Sequence, residues 1–340
     1  MKKTKNIQKK QLAVSVIVTV LNEVGSVDSL IKALTAQSYL PREVIVVDGG
    51  STDGTWDKLQ QLARKSKKIS LVVEQKCGNR SVGRNRAVQL AKSPWIAITD
   101  AGCVPDQDWL EELVKAVDGG LCFDCAQHDN RTEIVSGYFY PLTKTGLEQA
   151  FSCYALAMPR VIKAGFMLPT TRSMLIKKSV LTKLGGFDQS LSDNEDYALA
   201  RKMLRANLKE KIVFTPRARV GWMPHRTWSK FVRTIYRFAR GDAYAGLWRP
   251  KVLLIFGRYL FAFTLFLFYL LTNDQSYLFA LVLLMILYLL WSIAKNYRYA
   301  PSGWFYLPIL QLVADAVVMI GTIIGLSSRL YASNLKSRKT

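Results

Sequence analysis

The first apolar segments of the chain have the pattern of buried parallel strands. Val14–Val20 and Val44–Val47 consist mainly of β-branched residues, and each run stops abruptly at short polar residues or glycines. Between them, apolar residues recur at helical spacing from Val27 to Leu34, which supplies the crossover that a parallel pair requires. The pattern predicts a βαβ unit whose strands end at one edge of a sheet and form a binding crevice there.

Strand and helix patterns continue to alternate along the next part of the chain. Helices are predicted at Trp56–Ala63, Ser81–Leu90 and Trp109–Val117, and strands at Ile69–Val73 and Trp95–Thr99. This alternation predicts an open α/β sheet flanked by helices.

After Gly119 the pattern is less regular. Predicted strands are Leu121–Gln127, Thr132–Tyr140 and Ser173–Ile176, and predicted helices are Leu147–Met158 and Lys177–Leu184. Asp193 or Asn194 can cap one more helix, which puts Glu195 and Asp196 in its first turn. From the local sequence alone, these two acids serve either a site or merely the helix dipole.

Three long apolar runs follow, at Val252–Thr272, Tyr277–Ile293 and Phe305–Leu326. Each is close to the ~20 residues that cross a bilayer, and Trp and Tyr stand at their borders. The alternative, a very apolar soluble helical subdomain, is less favoured because a domain with three such runs would be poorly soluble in water. The predicted organisation is a basic tail (1–11), an α/β domain (12–226), an amphipathic interfacial segment (227–250), a transmembrane region of about three segments (251–327) and a basic tail (328–340).

The charge balance favours an anionic partner. The chain has 47 Lys and Arg against 25 Asp and Glu, a net charge of +22. Much of the positive charge flanks the apolar runs, so attraction to an anionic membrane surface is the simplest explanation. Nucleic acid is not an expected partner, because the soluble part shows no groove-reading motif.

The flanking charges also predict an orientation. The basic N-terminus lacks the apolar core of a signal peptide, so we expect a multi-pass plasma-membrane protein with a cytoplasmic α/β domain. Arg249 and Lys251 then hold the entry of the first span, and Lys295 and Arg298 mark the next inside loop. Three full crossings put the basic tail outside. Either the third segment is re-entrant, or the positive-inside bias fails here.

The cysteines predict a reducing compartment. Their number, five, is odd, and they lack the spacing of a disulfide framework. Cys122 and Cys125 form a CxxC pair with His128 nearby. Structural zinc needs four ligands and no second pair follows, so ordinary strand residues are the favoured interpretation.

Two further positions have the chemistry of a binding site. Arg84 lies near the start of a predicted helix, where guanidinium and backbone N–H groups suit a phosphate or a base edge, although a solvated basic face is the simpler alternative. Asp100 ends a buried strand. A carboxylate there is costly unless it is paired, so a metal or a ribose is the expected partner.

The order of these motifs is informative. Along the chain come Asn22-Glu23, Asp48-Gly49-Gly50-Ser51-Thr52-Asp53-Gly54, Gly83-Arg84-Asn85, Asp100-Ala101-Gly102, Gly185-Gly186-Phe187-Asp188 and Glu195-Asp196. From about Leu12 to Ala245 this series closely resembles glycosyltransferase family 2. The resemblance implies the GT-A fold, a Rossmann-like open mixed sheet, and inverting transfer of a sugar from a nucleotide diphosphate.

The resemblance also implies roles for individual residues. Nucleotide-sugar contacts fall to Thr19, Leu21, Glu23, Asp48, Arg84 and Asp100, with Asp48 and Arg84 at the base and ribose and Asp100 as the first acid of an Asp-x-Asp signature. Asp196 is the implied general base, with Glu195 beside it. Arg237 and Arg240 stand where relatives carry an Arg-bearing helix that closes over the donor, which is compatible with an interfacial basic helix.

Two glycines depart from the family pattern. Gly49 replaces an acid that many relatives use to read the base, so the nucleotide, of UDP or GDP type, is left open. Gly102 replaces the second acid of Asp-x-Asp. A divalent ion, Mg²⁺ or Mn²⁺, can still be held by Asp100, the diphosphate and His225, or Arg237 and Arg240 neutralise the leaving group instead.

The leading hypothesis is a membrane-anchored inverting glycosyltransferase acting on a lipid-linked or polysaccharide acceptor at the cytosolic face. A close variant transfers the sugar to polyprenyl phosphate itself. An alternative of another class is a non-catalytic, membrane-anchored nucleotide-sugar-binding module, which the two glycines suggest and the intact acids oppose.

Overall fold

A computed structural model of the chain describes residues 12–117, 132–156, 158, 167–224 and 226–337. The predicted N-terminal tail, the strand at 121–127 with its CxxC pair, His225 and the last three residues fall outside these ranges. The chain divides into two compact units. The first takes Met1–Phe139, Lys163–Ser190 and Leu199–Gly221, and the second takes Tyr140–Ile162, Leu191–Ala198 and Trp222–Thr340.

A mixed sheet organises the first unit. Its strands are β1 (Val14–Val20), β2 (Glu43–Asp48), β3 (Ser70–Gln75), β4 (Trp95–Ile98), β5 (Cys103–Pro105), β6 (Ile134–Pro141), β7 (Met174–Lys177) and β8 (Ile212–Trp222). Among the described residues the strand order is β3-β2-β1-β4-β7-β6-β8-β5. The pairs among β1 to β4 are parallel, whereas β7 pairs antiparallel with both β4 and β6. The predicted open α/β sheet is confirmed.

Helices cover this sheet and continue into the second unit. They are α1 (Val27–Thr35), α2 (Thr55–Lys65), α3 (Arg80–Leu90), α4 (Trp109–Val117), α5 (Gly146–Ala155), α6 (Lys178–Lys183), α7 (Glu195–Arg205), α8 (Trp228–Ala245), α9 (Pro250–Thr272), α10 (Gln275–Asn296) and α11 (Leu307–Ser337). Each helix predicted from apolar spacing is present within a few residues of its expected bounds.

The apolar strand runs form the core of the first unit. Ile17, Ile45 and Ile96 are fully buried in one cluster with residues from α3, α6 and α7. In the parallel register Val20 lies opposite Asp48, so β1 and β2 end at the same level of the sheet. The two loops that follow therefore start side by side, as the βαβ pattern predicts.

The sequence analysis missed β5 and β8. In β8 the exposed Arg217 and Arg219 alternate with the buried Ala218 and Val220, which is the period of a strand with one wet face. The positive charges and Pro216 mask this alternation in the sequence.

Three helices of the second unit are long and apolar enough to cross a membrane: Pro250–Thr272, Gln275–Tyr299 and Trp304–Tyr331. They coincide with the predicted apolar runs. The first two are almost entirely uncovered by protein, whereas the third is partly covered.

Close packing against α8 covers part of α11. A Cβ atom at Gly321 would lie 2.9 Å from the Tyr236 carbonyl oxygen, and one at Gly325 would lie 2.4 Å from the Arg240 carbonyl oxygen. Both contacts advance by four residues, so the two helices run parallel with their backbones close together. Small residues at this spacing allow two helix backbones to approach closely.

We therefore expect Gly325→Ala to destabilise the second unit by about 1–3 kcal/mol, because the added methyl group meets a backbone oxygen and the Ala243 side chain. Thermal unfolding in detergent micelles measures this effect. Gly257→Ala in α9 is the matched control, since a Cβ atom there has open space. Equal melting temperatures for the two variants would contradict the packing argument.

A polar cluster joins the apolar helices. Asp315 of α11 is almost fully buried and accepts hydrogen bonds from Tyr288, from Tyr259 at 3.3 Å and from Gln311 at 3.0 Å. The guanidinium of Arg258 lies 3.8 Å from the same carboxylate. Opposite charges thus face each other inside the helix bundle, which is how membrane proteins retain ionisable residues.

Candidate active site

The loops after β1 and β2 are joined by hydrogen bonds. The Asn22 backbone N–H donates to Ser51 Oγ at 2.8 Å, and the Thr52 N–H donates to Asn22 Oδ1 at 2.9 Å. The Glu23 N–H donates to Thr55 Oγ1 at 2.8 Å. Asn22 has a φ of 55°, a left-handed conformation that asparagine tolerates. The strand ends therefore form one continuous polar edge.

Three of the predicted nucleotide-site residues flank this edge. Thr19 is half-buried beside α3, where a Cβ atom at Gly83 would lie 2.8 Å from its methyl carbon. Leu21 is 55% exposed, an unusual position for leucine directly after a core strand. Glu23 accepts a hydrogen bond from the Ser26 hydroxyl.

Asp48 is fully buried at the end of β2. Its carboxylate accepts from the Ser51 hydroxyl at 2.5 Å, from the Ser51 and Gly50 N–H groups at 3.0 and 3.3 Å, and from Gln75 Nε2 at 2.8 Å. These bonds hold the glycine turn in shape. In this structure Asp48 supports the loop, and the exposed Gln75 is the polar group beside it that sequence reasoning missed.

Arg84 and Asp100 form an ion pair in which the guanidinium is buried and the carboxylate is partly exposed. The Arg84 side chain is 2% exposed, and its guanidinium donates to Asp100 Oδ1 at 2.8 Å and to Thr171 Oγ1 at 3.1 Å. It also lies over the Phe187 ring, 5.3 Å from the ring centroid. Helix α3 and strand β4 thus bring together two residues that the sequence analysis assigned to the same pocket.

More than one guanidinium acts on Asp100. Burial alone would raise the pKa of this carboxyl group, but the positive charges of Arg84, Arg172 and Arg80 outweigh it and hold the pKa below its ordinary value. Sequence reasoning missed Arg80 and Arg172. Arg80 opens α3 one turn before Arg84, a spacing that could have indicated a shared helix face.

The described residues do not fit a divalent cation at this position. No group of three or more His, Cys, Asp or Glu side chains that could hold a metal ion occurs within the described ranges. Asp100 is the one acid of the Asp-x-Asp position, it is paired with Arg84, and its other charged neighbours are arginines. His225, the second predicted ligand, lies outside the described residues.

The second unit contains the predicted acid pair. Glu195 is 3% exposed and Asp196 is half-buried, both in the first turn of α7. Asp196 Oδ1 accepts from the Tyr197 N–H at 2.7 Å. The preceding Asn194 has a φ of 58° and its carbonyl oxygen accepts the first hydrogen bond of the helix.

The Asn194 side chain holds this turn against α8. Its amide nitrogen donates to the Phe238 carbonyl oxygen at 2.7 Å and to Asp242 Oδ1 at 2.9 Å. Arg249 pairs with the same Asp242 and stacks on the Tyr197 ring, 4.3 Å from its centroid. Sequence reasoning missed Asp242 and Arg249 because both contacts are distant in the sequence.

Neighbouring charges in this cluster affect the pKa of Asp242. Burial raises the pKa of Asp242 above its ordinary value; Arg249 opposes the shift, and the negative charge of Asp196 adds to it. The charges of Arg249 and Asp196 therefore act in opposite directions on Asp242.

The two predicted arginines of α8 differ. Arg237 forms an ion pair with Asp193, with contacts of 2.5 and 3.3 Å. Arg240 is exposed on the same helix. The predicted site residues thus fall into two groups, one in each unit.

Comparison with known proteins identifies the family. A model of Glycosyl transferase family 2 matches residues 15–185, which contain the joined loops and the Arg84–Asp100 pair. The chain belongs to glycosyltransferase family 2. It is accordingly an enzyme that acts on nucleotide sugars, and the resemblance seen in the sequence is confirmed.

Relatives and a solved structure agree with this assignment. Glycosyltransferase AglE of Haloferax volcanii is 25% identical over 67% of this chain and 72% of its own length. The Escherichia coli enzyme WfaP, a UDP-Glc:alpha-D-GlcNAc-diphosphoundecaprenol beta-1,3-glucosyltransferase, is 25% identical over 58% of this chain and 72% of its own length. The mannosyltransferase PcManGT of Pyrobaculum calidifontis, solved with GDP-Man and Mn²⁺, covers 93% of this chain and 88% of its own at 18% identity, with a TM-score of 0.56, a likeness of fold.

Proposed function

We propose that this family 2 enzyme inverts the anomeric carbon of a sugar as it transfers it to a lipid-linked or polysaccharide acceptor at the cytosolic membrane face. The observation that carries this proposal is the membership of Glu195 and Asp196 in the same compact unit as the apolar helices. A base supported by membrane helices suits an acceptor that arrives from the membrane.

In the proposed reaction Asp196 takes the proton from the acceptor hydroxyl as its oxygen attacks the anomeric carbon. The bond between that carbon and the nucleotide diphosphate breaks, and the leaving oxygen keeps the electron pair. One carboxylate on the far face of the sugar suffices for inversion, so no covalent nucleophile is needed. Glu195, which is buried beside it, orients the turn.

The strand-end residues of the first unit are the proposed donor site. Thr19, Leu21 and Glu23 line the nucleotide, and Arg84 with Asp100 faces the ribose and diphosphate. Metal binding through Asp100 and His225 stays a prediction.

A groove in the second unit supports a lipid-linked acceptor. It has a volume of about 380 Å³ and is lined by Ser229, Val232, Arg233, Tyr236, Val317 and Ile320. Apolar walls from α8 and α11 suit a lipid chain, and the Arg233 guanidinium suits its phosphate. The relative WfaP is named for an acceptor that contains diphosphoundecaprenol, a lipid of this chemical class.

The proposed topology places α8 on the cytosolic surface, with α9 and α10 crossing the membrane and returning. Because α11 runs parallel to α8, with Gly321 and Gly325 against it, the second half of α11 stays at that surface. The basic tail then remains cytosolic, as the positive-inside bias requires. This arrangement corresponds to the re-entrant alternative for the third segment.

The proposal is tested with membranes that contain the protein and with UDP- and GDP-sugars offered one at a time. We expect one donor to be consumed and its sugar to appear on a lipid or glycan with inverted anomeric configuration, read by NMR. Polyprenyl phosphate and a sugar-diphosphate lipid are compared as acceptors. Retention of configuration would overturn the mechanism, and absence of turnover with every donor would favour the non-catalytic module.

A further inference from the structure

The position at which relatives carry a second acid is open space in this protein. A Cβ atom at Gly102 would meet no atom within 4 Å, and the backbone there is outside the left-handed region. A Cβ atom would therefore fit at this position without strain. Glycine at this position removes a carboxylate and is not required by the fold.

Guanidinium groups surround the single remaining acid. Arg84 pairs with Asp100 at 2.8 Å, and both Arg80 and Arg172 act on the same carboxylate electrostatically. Arg172 directly follows Thr171, whose hydroxyl lies 3.5 Å from Asp100 Oδ2. Three guanidinium groups thus act on one carboxylate at this end of β4.

Arg80 and Arg172 belong to different segments of the first unit. Arg80 is exposed at the first position of α3, whose N-terminus is capped by the Asn79 side chain, which accepts from the Val82 N–H at 3.1 Å. The helix dipole adds positive potential at this end. Arg172 stacks on the Phe139 ring, 4.9 Å from its centroid, which limits the rotamers of its long side chain.

We propose that Arg80 and Arg172 bind the diphosphate of the nucleotide sugar directly and take the charge-neutralising role of a divalent cation. As the bond from the anomeric carbon to the diphosphate breaks, the leaving oxygen gains negative charge, and the two guanidinium groups stabilise it. Arginine suits this role because its planar donors match phosphate oxygens in pairs. A cation held beside these arginines would instead be repelled.

This inference deepens the proposed donor site and assigns the role to residues other than Arg237 and Arg240. Arg237 is already paired with Asp193. Asp100 in turn is a positioning residue. Its carboxylate holds the Arg84 guanidinium and reduces the repulsion among Arg84, Arg80 and Arg172.

The first test is isothermal titration of the full-length protein in detergent with UDP, GDP, ADP, CDP and dTDP, in EDTA and then in Mn²⁺. We expect the tightest-binding diphosphate to have the same Kd in both media to within about threefold. Binding that weakens more than about tenfold in EDTA would overturn the inference, as would the failure of every diphosphate to bind there.

Variants then locate the binding energy. Arg80→Gln and Arg172→Gln should each weaken diphosphate binding roughly tenfold to a hundredfold, because each loses charged hydrogen bonds to phosphate. Arg64→Gln, which removes an exposed arginine from the last turn of α2, is the charge-matched control. Losses no larger than the control's would refute the assignment.

Position 102 gives an independent readout. We expect Mn²⁺ to tighten diphosphate binding to Gly102→Asp and to leave Gly102→Asn unchanged, because only the former restores a second acid. Tightening of diphosphate binding by Mn²⁺ in the wild type or in Gly102→Asn would overturn the inference. Turnover with Mn²⁺ but no binding in EDTA would refute this inference alone, whereas absence of both would refute the proposed function as well.

Discussion

Replacing Asp196 by asparagine should reduce sugar transfer by roughly 10²–10⁴-fold and leave nucleotide binding almost unchanged. The amide has nearly the same shape but cannot take the acceptor's proton. It can still accept the hydrogen bond that Asp196 Oδ1 receives from the Tyr197 N–H, so the first turn of α7 is preserved. The donor contacts proposed for β1, β2 and α3 are in the other unit and are not altered.

The measurement is initial rate at saturating donor, together with the Kd of the nucleoside diphosphate by calorimetry. Asp57→Asn is the control, since Asp57 is an exposed carboxylate in the first turn of α2. Turnover near the wild-type rate would rule out Asp196 as the base. A parallel loss of nucleotide binding would instead indicate a structural role.

Arg84→Met is expected to destabilise the first unit by about 1–3 kcal/mol and to abolish nucleotide binding as the pocket loosens. Methionine fills part of the volume but leaves Asp100 without its hydrogen-bonded partner. The Thr171 hydroxyl loses its donor in the same step. Asp100 keeps the attraction of Arg80 and Arg172 and is partly exposed, so the loss is that of charged hydrogen bonds and not of an isolated buried charge.

The melting temperature in detergent reports this loss, and a drop of roughly 2–12 °C is expected for a domain of this size. Arg86→Met gives a matched comparison two residues away. Arg86 pairs with Glu74 at the surface, where an ion pair contributes about 1 kcal/mol or less. If both variants melted together, burial of Arg84 would not be what stabilises the pair.

The sequence predicts the first half of the fold well because its strands are buried on both faces. A run such as Val14–Val20 is apolar throughout and ends in polar residues, so both its extent and its functional end can be read directly. The parallel register then requires the loops after β1 and β2 to meet. Local pattern and tertiary structure agree here.

The rest of the site depends on contacts between distant residues, which no local pattern reveals. Asp48 could be predicted at a strand end, but the hydrogen bonds that its carboxylate accepts from Ser51 and Gln75 depend on loop geometry. The approach of Arg172 to Asp100 depends on the antiparallel pairing of β4 with β7, which comes about eighty residues later in the chain. The bonds between Asn194 and α8 likewise join segments that are distant in the sequence.

The hydrogen bonds between the α7 turn and α8 determine whether the C-terminal helices can be removed without disturbing this turn. A fragment ending at residue 226, the predicted domain boundary, lacks both acceptors of the Asn194 amide and the guanidinium that stacks on Tyr197. One ending at residue 250 keeps those groups but loses the α11 surface on which α8 rests. The C-terminal helices are therefore structural members of the proposed catalytic half.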